Sequence, residues 1–231
     1  MADGDQKVIL LAGASGYVGN LALTALLDAP DISRVWAITR RPLGREHPRL
    51  ANRIVPFEQI ESQLKGITCH AAVCSLGTTM RQAGSQSAFR QVDFDAVLAF
   101  ARTAKAAQAQ RFVLVSAAFA DSAAKNFYLR TKGEVEEALQ GLGFASLDIL
   151  QPSLLLGWRG EIRPLELLAS VFMPLVNPFL TGKREPLRAI PARTVAAAMV
   201  GATRSGRRGV QRYTYSGIHA LARIKPVRTV K

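Results

Sequence analysis

The sequence predicts an α/β fold built on a doubly wound, mainly parallel sheet, and three observations predict it. The run 8–12 (VILLA) is apolar throughout, too short for a stable helix and suited to a central strand covered on both faces. Glycines follow at positions 13, 16 and 19, and the chain then enters a helical pattern through Leu21, Leu23 and Leu26. Further short apolar runs return at the spacing of strand–helix–strand units as far as Leu150.

Composition narrows the reading. With 231 residues, 48% of them hydrophobic and 20% charged, one domain over 1–231 is expected, with 153–216 as a lid on the substrate side and 217–231 as a basic tail. The opening MADGDQK is polar and 8–12 is far too short for a signal core or a membrane span, so the cytosol is the expected compartment. Cys69 and Cys74 are the only cysteines, which gives neither a disulfide framework nor a four-ligand metal set, and no metal is expected. Of the net charge of +13, +11 lies from Thr181 onward, where Glu185 is the only acid. The body is nearly neutral, and the basic C-terminal segment is either a solvated face or a weak contact for an anionic partner. A monomer or a homodimer fits a chain of this size.

In chain order, 8–12 is the first strand, and the glycine turn presents the N–H groups and positive end of the following helix, a setting that favours a pyrophosphate. The spacing, Gly-x-x-Gly-x-x-Gly, is a variant of the dinucleotide fingerprint. The run 34–39 (RVWAIT) is the second strand, and Arg40 and Arg41 follow at once. An acid here would accept ribose hydroxyls, whereas Arg accommodates a 2′-phosphate, so the pair argues for NADP(H). Strand 53–55 ends at Pro56, with Phe57 placed to wall an adenine, and 59–65 is a short helix. Strand 71–76 runs into Gly77, Thr78 and Thr79, small residues where a cofactor would pass. His70 has no second ligand at metal spacing and is read as structural.

Residues 88–107 repeat Phe89, Val92, Val97, Leu98 and Ala101 at helical intervals, with Arg90, Asp93 and Arg102 on the polar face. Strand 111–116 delivers Ser116 to the carboxyl edge of the sheet, where ligands of open α/β folds bind. The helix 126–139 then carries Tyr128 and Lys132, an i, i+4 pair on one face. Strand 147–150 is closed by Pro152. Between 154 and 187, Trp158, Phe172, Met173 and Phe179 are interrupted by Pro164, Pro174 and Pro178, a composition suited to a lid. Two prolines inside 165–180 argue against a membrane-surface helix there. A helix over 194–202 and an edge strand over 210–215 complete the reading.

GASGYVG, Arg40-Arg41, CSLGTT (74–79), Ser116 and NFYLRTKGEVE (126–136) together resemble the atypical short-chain dehydrogenase/reductases, and within them the Tat-interacting-protein oxidoreductases, over about 7–215. The resemblance implies a Rossmann-like fold that binds NADP(H) through Gly13, Ser15, Gly16, Tyr17, Val18, Arg40, Arg41, Leu76, Gly77, Tyr128, Lys132 and Pro152. It implies a catalytic set of Ser116, Tyr128 and Lys132. A phenol with an ordinary pKa of ~10 is a poor base at neutral pH, and a neighbouring ammonium favours its ionised form. Tyr128 would give its proton to the oxygen of a small carbonyl, or take one from the alcohol, with Ser116 holding that oxygen and Lys132 also binding the ribose.

This chain departs from the resemblance in three places. Pro56 stands where an acid near the adenine is common, Asp93 where many short-chain dehydrogenases carry Asn in a proton relay, and Gln151-Pro152-Ser153 where Arg-Pro-Gly is usual. Dinucleotide binding tolerates these changes more easily than turnover does. The alternative is therefore a non-catalytic NADP(H)-binding redox sensor that acts through a partner.

Overall fold

A computed structural model describes residues 6–156, 180 and 182–226. The strands are β1 (Lys7–Ala12), β2 (Ile32–Thr39), β3 (Leu50–Ile54), β4 (Ala71–Cys74), β5 (Arg111–Val115), β6 (Ser146–Leu150), β7 (Leu155–Leu156), β8 (Ile190–Pro191) and β9 (Gly209–Tyr213). Seven of them form one sheet in the order β3-β2-β1-β4-β5-β6-β9, while β7 and β8 pair separately. Every ladder of the large sheet is parallel.

The helices are α1 (Tyr17–Asp28), α2 (Ile60–Gln63), α3 (Met80–Ala83), α4 (Gln86–Arg90), α5 (Ala96–Ala106), α6 (Phe127–Gln140), α7 (Ala192–Ala202) and α8 (Tyr215–Ala222). Successive side chains of a strand point to opposite faces, so β1 feeds two cores. Ile9 and Leu11 join Leu23 and Leu26 of α1, Met199 of α7 and Ile218 of α8. Leu10 and Ala12 join Ile60 of α2, Phe100 of α5 and Leu139 of α6. Both faces of the central strand are covered, which is the Rossmann-like, doubly wound arrangement and the reason 8–12 has no polar residue.

Three boundaries differ from the sequence reading for identifiable reasons. β3 starts at Leu50, before the expected 53–55, because its pairing with β2 begins at Val35 and Leu50. The helix expected over 88–107 is α4, a π-helical turn over Gln91–Asp95, and α5; a 3.6-residue period carries no signal for the wider turn. The basic tail expected from 217 begins inside α8, whose Ile218 and Leu221 are buried. Gly201 of α7 allows the close approach, since a Cβ there would lie 1.9 Å from the Leu221 carbonyl oxygen. Of the lid expected over 153–216, the described part contributes β7, β8 and a 3-10 turn over Gly182–Leu187, but α7 and β9, which fall in the same range, belong to the main fold, α7 packing in the core with Ile9 and Leu11 and β9 forming an edge of the large sheet. Residues 157–179 and 181, with Trp158, Phe172, Met173 and Phe179, lie outside the described residues, as do 227–231.

Candidate active site

The glycine turn after β1 forms one wall of the site. Gly13 has a φ of +89°, in the left-handed region, and a Cβ on it would fall 2.6 Å from the Ser75 backbone at the end of β4. Gly16 donates its N–H to the Gly13 carbonyl at 2.9 Å and caps α1 with no side chain over the first turn. Gly19 sets how closely α1 docks, since a Cβ there would lie 2.0 Å from the Gly13 oxygen. The N-terminus of α1, with its positive dipole end, thus lies beside the cavity with no side-chain cap.

That cavity has a volume of about 430 Å³, within the usual range for small-ligand sites. Gly16, Tyr17 and Val18 line it on the α1 side, Leu76 and Gly77 on the loop after β4, and Ser116, Tyr128 and Lys132 across from them. Eight of the residues expected at the site thus share one cavity. The other five do not line it. Gly13 supports the turn from below, and Ser15 is exposed within it. Arg40 and Arg41 are exposed just past β2, and the Arg40 guanidinium lies 4.7 Å from the centroid of the Phe57 ring. Pro152 follows β6, its carbonyl accepting the Ala118 N–H at 2.9 Å.

α6 owes its start to Asn126, whose side chain caps the Leu129 N–H at 3.1 Å. That start places Tyr128 on the cavity, with Lys132 one turn further on. The Lys132 ammonium is 2.7 Å from Asp93 Oδ1, an ion pair lying off the alignment of a hydrogen bond. Asp93 comes from the π-helical turn and is fully buried, and its Oδ2 accepts the Thr78 N–H at 2.7 Å. Burial by itself pushes the Lys132 pKa down, but the Asp93 charge, helped by the Tyr128 phenol, outweighs it and the pKa stands above the ordinary lysine value.

One turn beyond Lys132, Glu136 is buried as well. Ser116 Oγ donates to its Oε1 at 2.5 Å, and the Gln151 amide reaches both oxygens at 3.0 and 3.1 Å. Arg212 of β9 adds its Nε–H to Oε2 at 3.0 Å. The arginine that the resemblance expects at position 151 is therefore replaced by an amide, and the edge strand supplies the guanidinium. Ser116 lies at the cavity, with its hydroxyl donating to Glu136.

Both cysteines are buried, and burial pushes each thiol up to about 12, which leaves them inert. His70 Nδ1 accepts the Val8 N–H at 2.9 Å, a structural contact. Among the described residues there is no group of three or more His, Cys, Asp or Glu able to hold a metal, and no helix long and apolar enough to cross a membrane.

The sequence is similar to protein HTATIP2 of Rattus norvegicus, 36% identical over 199 residues that cover 84% of this chain and 80% of that one. The chain belongs to the HTATIP2 (Tat-interacting-protein) family. Fungal relatives match too: fmp52 of Emericella nidulans is 33% identical over 171 residues, covering 71% of this chain and 73% of that one, and is named a mitochondrial protein. No family model matches. Among solved structures, the enzyme WbmH of Bordetella bronchiseptica, in complex with NAD+, has a TM-score of 0.68 at 17% identity, over 94% of this chain and 79% of that one. A UDP-glucose 4-epimerase of Thermotoga maritima with UDP-glucose has a TM-score of 0.67 at 12% identity, over 93% of this chain and 81% of that one. At such identities the likeness is one of fold: the HTATIP2-family chain shares the Rossmann-like arrangement of sheet and helices with these two enzymes.

Two members of the site were not singled out from the sequence. Glu136 extends the stripe of Tyr128 and Lys132 by one more i, i+4 step, a signal present in NFYLRTKGEVE. Arg212 gave no signal, because only the β6–β9 pairing brings it to Glu136.

Proposed function

We propose that the chain is an NADP(H)-dependent oxidoreductase of the short-chain dehydrogenase type, reducing a small carbonyl or oxidising the corresponding alcohol. The observation that carries this is the meeting of Tyr128 and Lys132 with the N-terminus of α1 in one cavity. The dinucleotide fits the residues present. The turn at Gly13 and Gly16 clears a backbone path, and the exposed Ser15 and the Tyr17 and Val18 amides lie where a pyrophosphate would rest. Arg40 and Arg41 are the partners for a 2′-phosphate, Leu76 and Gly77 flank the route across the sheet, and Pro152 closes its far end. When bound, the cofactor supplies or accepts a hydride.

The protein's own part is proton transfer and orientation. Tyr128 gives its phenolic proton to the carbonyl oxygen, and in the reverse direction takes one from the alcohol. Lys132 stays charged against Asp93, stands one turn from the phenol and holds the ribose hydroxyls. Ser116, at the same cavity, holds the substrate oxygen by hydrogen bonding. The cytosol is the compartment proposed, and recovery of the native protein in a mitochondrial fraction would count against it.

Tyr128→Phe keeps the ring and removes the hydroxyl. With NADPH oxidation followed over a panel of aldehydes, ketones and quinones, kcat should fall ~10²–10⁴-fold while NADPH affinity stays near wild type. One observation favours the alternative, a non-catalytic NADP(H) sensor: the Ser116 hydroxyl donates to Glu136 rather than facing the cavity unpaired. Wild-type protein that binds NADPH but reduces nothing on the panel would decide for the sensor.

A further inference from the structure

A buried ammonium is stable only beside a counter-charge, and Lys132, with 7% of its side chain exposed, has one carboxylate within ion-pair distance among the described residues. The groups facing it come from three elements. Asp93 reaches it from the π-helical turn at 2.7 Å, Tyr128 lies one turn earlier on α6, and Cys74 faces it from β4 as an uncharged thiol. Glu136, one turn later, is turned to Ser116, Gln151 and Arg212. Asp93 also accepts the Thr78 N–H, and a Cβ on Gly77 would come within 3.3 Å of its Oδ1 and 3.6 Å of Lys132 Nζ.

We infer that Asp93 is a positioning residue for the reaction proposed above: it fixes the charge of Lys132 and ties the Gly77–Thr78 loop to it. A neutral Asn at this position would offer the ammonium a dipole in place of a charge. The acid makes a direct ion pair, so the lysine enters every step already protonated and with its amine fixed against the loop that crosses the cavity. The π-helical turn is what turns residue 93 inward, since the sequence pattern would leave it on the polar face of a regular helix. The inference rests on the oxidoreductase reading for its functional meaning, but the ion pair can be tested without cofactor.

The test is Asp93→Asn in protein labelled with 13C at lysine Cε, the Lys132 resonance being assigned by its loss in Lys132→Arg. In wild type that resonance should hold its ammonium position beyond pH ~10.5, whereas in Asp93→Asn it should titrate at least about one pH unit lower. NADPH affinity followed in parallel should fall about tenfold in the variant at the pH where its lysine has lost the proton, and change little at pH ~6. Asp93→Ser, smaller and still polar, serves in the same way should the asparagine variant not fold. A Lys132 titration that superimposes on wild type in these variants overturns the inference. Wild-type protein that fails to bind NADPH, with the lysine shift still present, overturns the cofactor reading and leaves the Asp93 assignment standing.

Discussion

Asp93 and Asp148 are both fully buried aspartates, each facing a cation, yet their surroundings differ. Asp148, on β6, has three side-chain donors. Arg111 of β5 pairs with its Oδ2, Ser146 donates to the same oxygen at 2.9 Å, and the Tyr213 hydroxyl of β9 donates to Oδ1 at 2.9 Å. Arg111 also spans to the carbonyls of Ser205 and Arg207. Three adjacent strands and the loop before β9 are joined through one carboxylate. Asp93 has a lysine and a backbone N–H, and the space beside it is the cavity. A carboxylate whose two oxygens take three donors from neighbouring strands holds those strands together, while one that meets a cavity through a single lysine is placed to set the charge of that lysine.

The comparison breaks most visibly at Asp148. Asp148→Ala should strip Arg111 and Tyr213 of their partner and cost about 3–5 kcal/mol in urea unfolding, with NADPH affinity of the folded fraction unchanged. A smaller stability loss accompanied by weakened NADPH binding would erase the distinction between the two aspartates. At the other end of the sheet, Arg40→Ala should weaken NADPH by about 1.5–3 kcal/mol and leave NADH untouched, read by calorimetry on both cofactors. Equal losses on the two would remove 2′-phosphate recognition from the carboxyl edge.

The smallest effect is expected at Asp31, a third paired aspartate, held by Arg204 at 2.7 and 2.8 Å near the start of β2. Partial burial raises its pKa, but the hydrogen bonds and charge of Arg204 more than compensate, so it stands below the ordinary 3.8. A carboxyl depressed in the folded state stabilises above its unfolded pKa, and that contribution fades as pH falls through the folded value. Arg204→Ala should therefore lose at most about 1 kcal/mol at pH 7, and the gap should close below pH ~4. A gap that persists at low pH would mean the arginine acts through packing instead.

How far these features were legible depends on the distance over which the signal runs. β1, the glycine turn and α1 are contiguous, and their order alone announces the fold. Tyr128 and Lys132 sit on one regular helix, where a period of 3.6 residues carries them together. Asp93 was visible as an unusual residue, but its inward turn was not, because the π-helical turn shifts the face that periodicity assigns. The partnership of Arg212 with Glu136 was out of reach, since it depends on which strand lies next to β6. α8 was lost for another reason: averaging charge over 181–231 hid Ile218 and Leu221 within a segment that reads as basic.

The placement of β9 has a consequence for the order of events during synthesis. Glu136 and Arg212 lie 76 residues apart, so at a translation rate of about 5–20 residues per second the carboxylate leaves the ribosome roughly 4–15 s before the guanidinium that balances it. Parallel pairing has to wait for the whole crossover, and its entropy cost falls before any contact repays it. A nascent chain that ends before β9 has Tyr128, Lys132 and the glycine turn in hand but an unbalanced acid under Ser116. The acid under Ser116 is therefore balanced late, and an edge strand that looks like mere trimming sets when that happens.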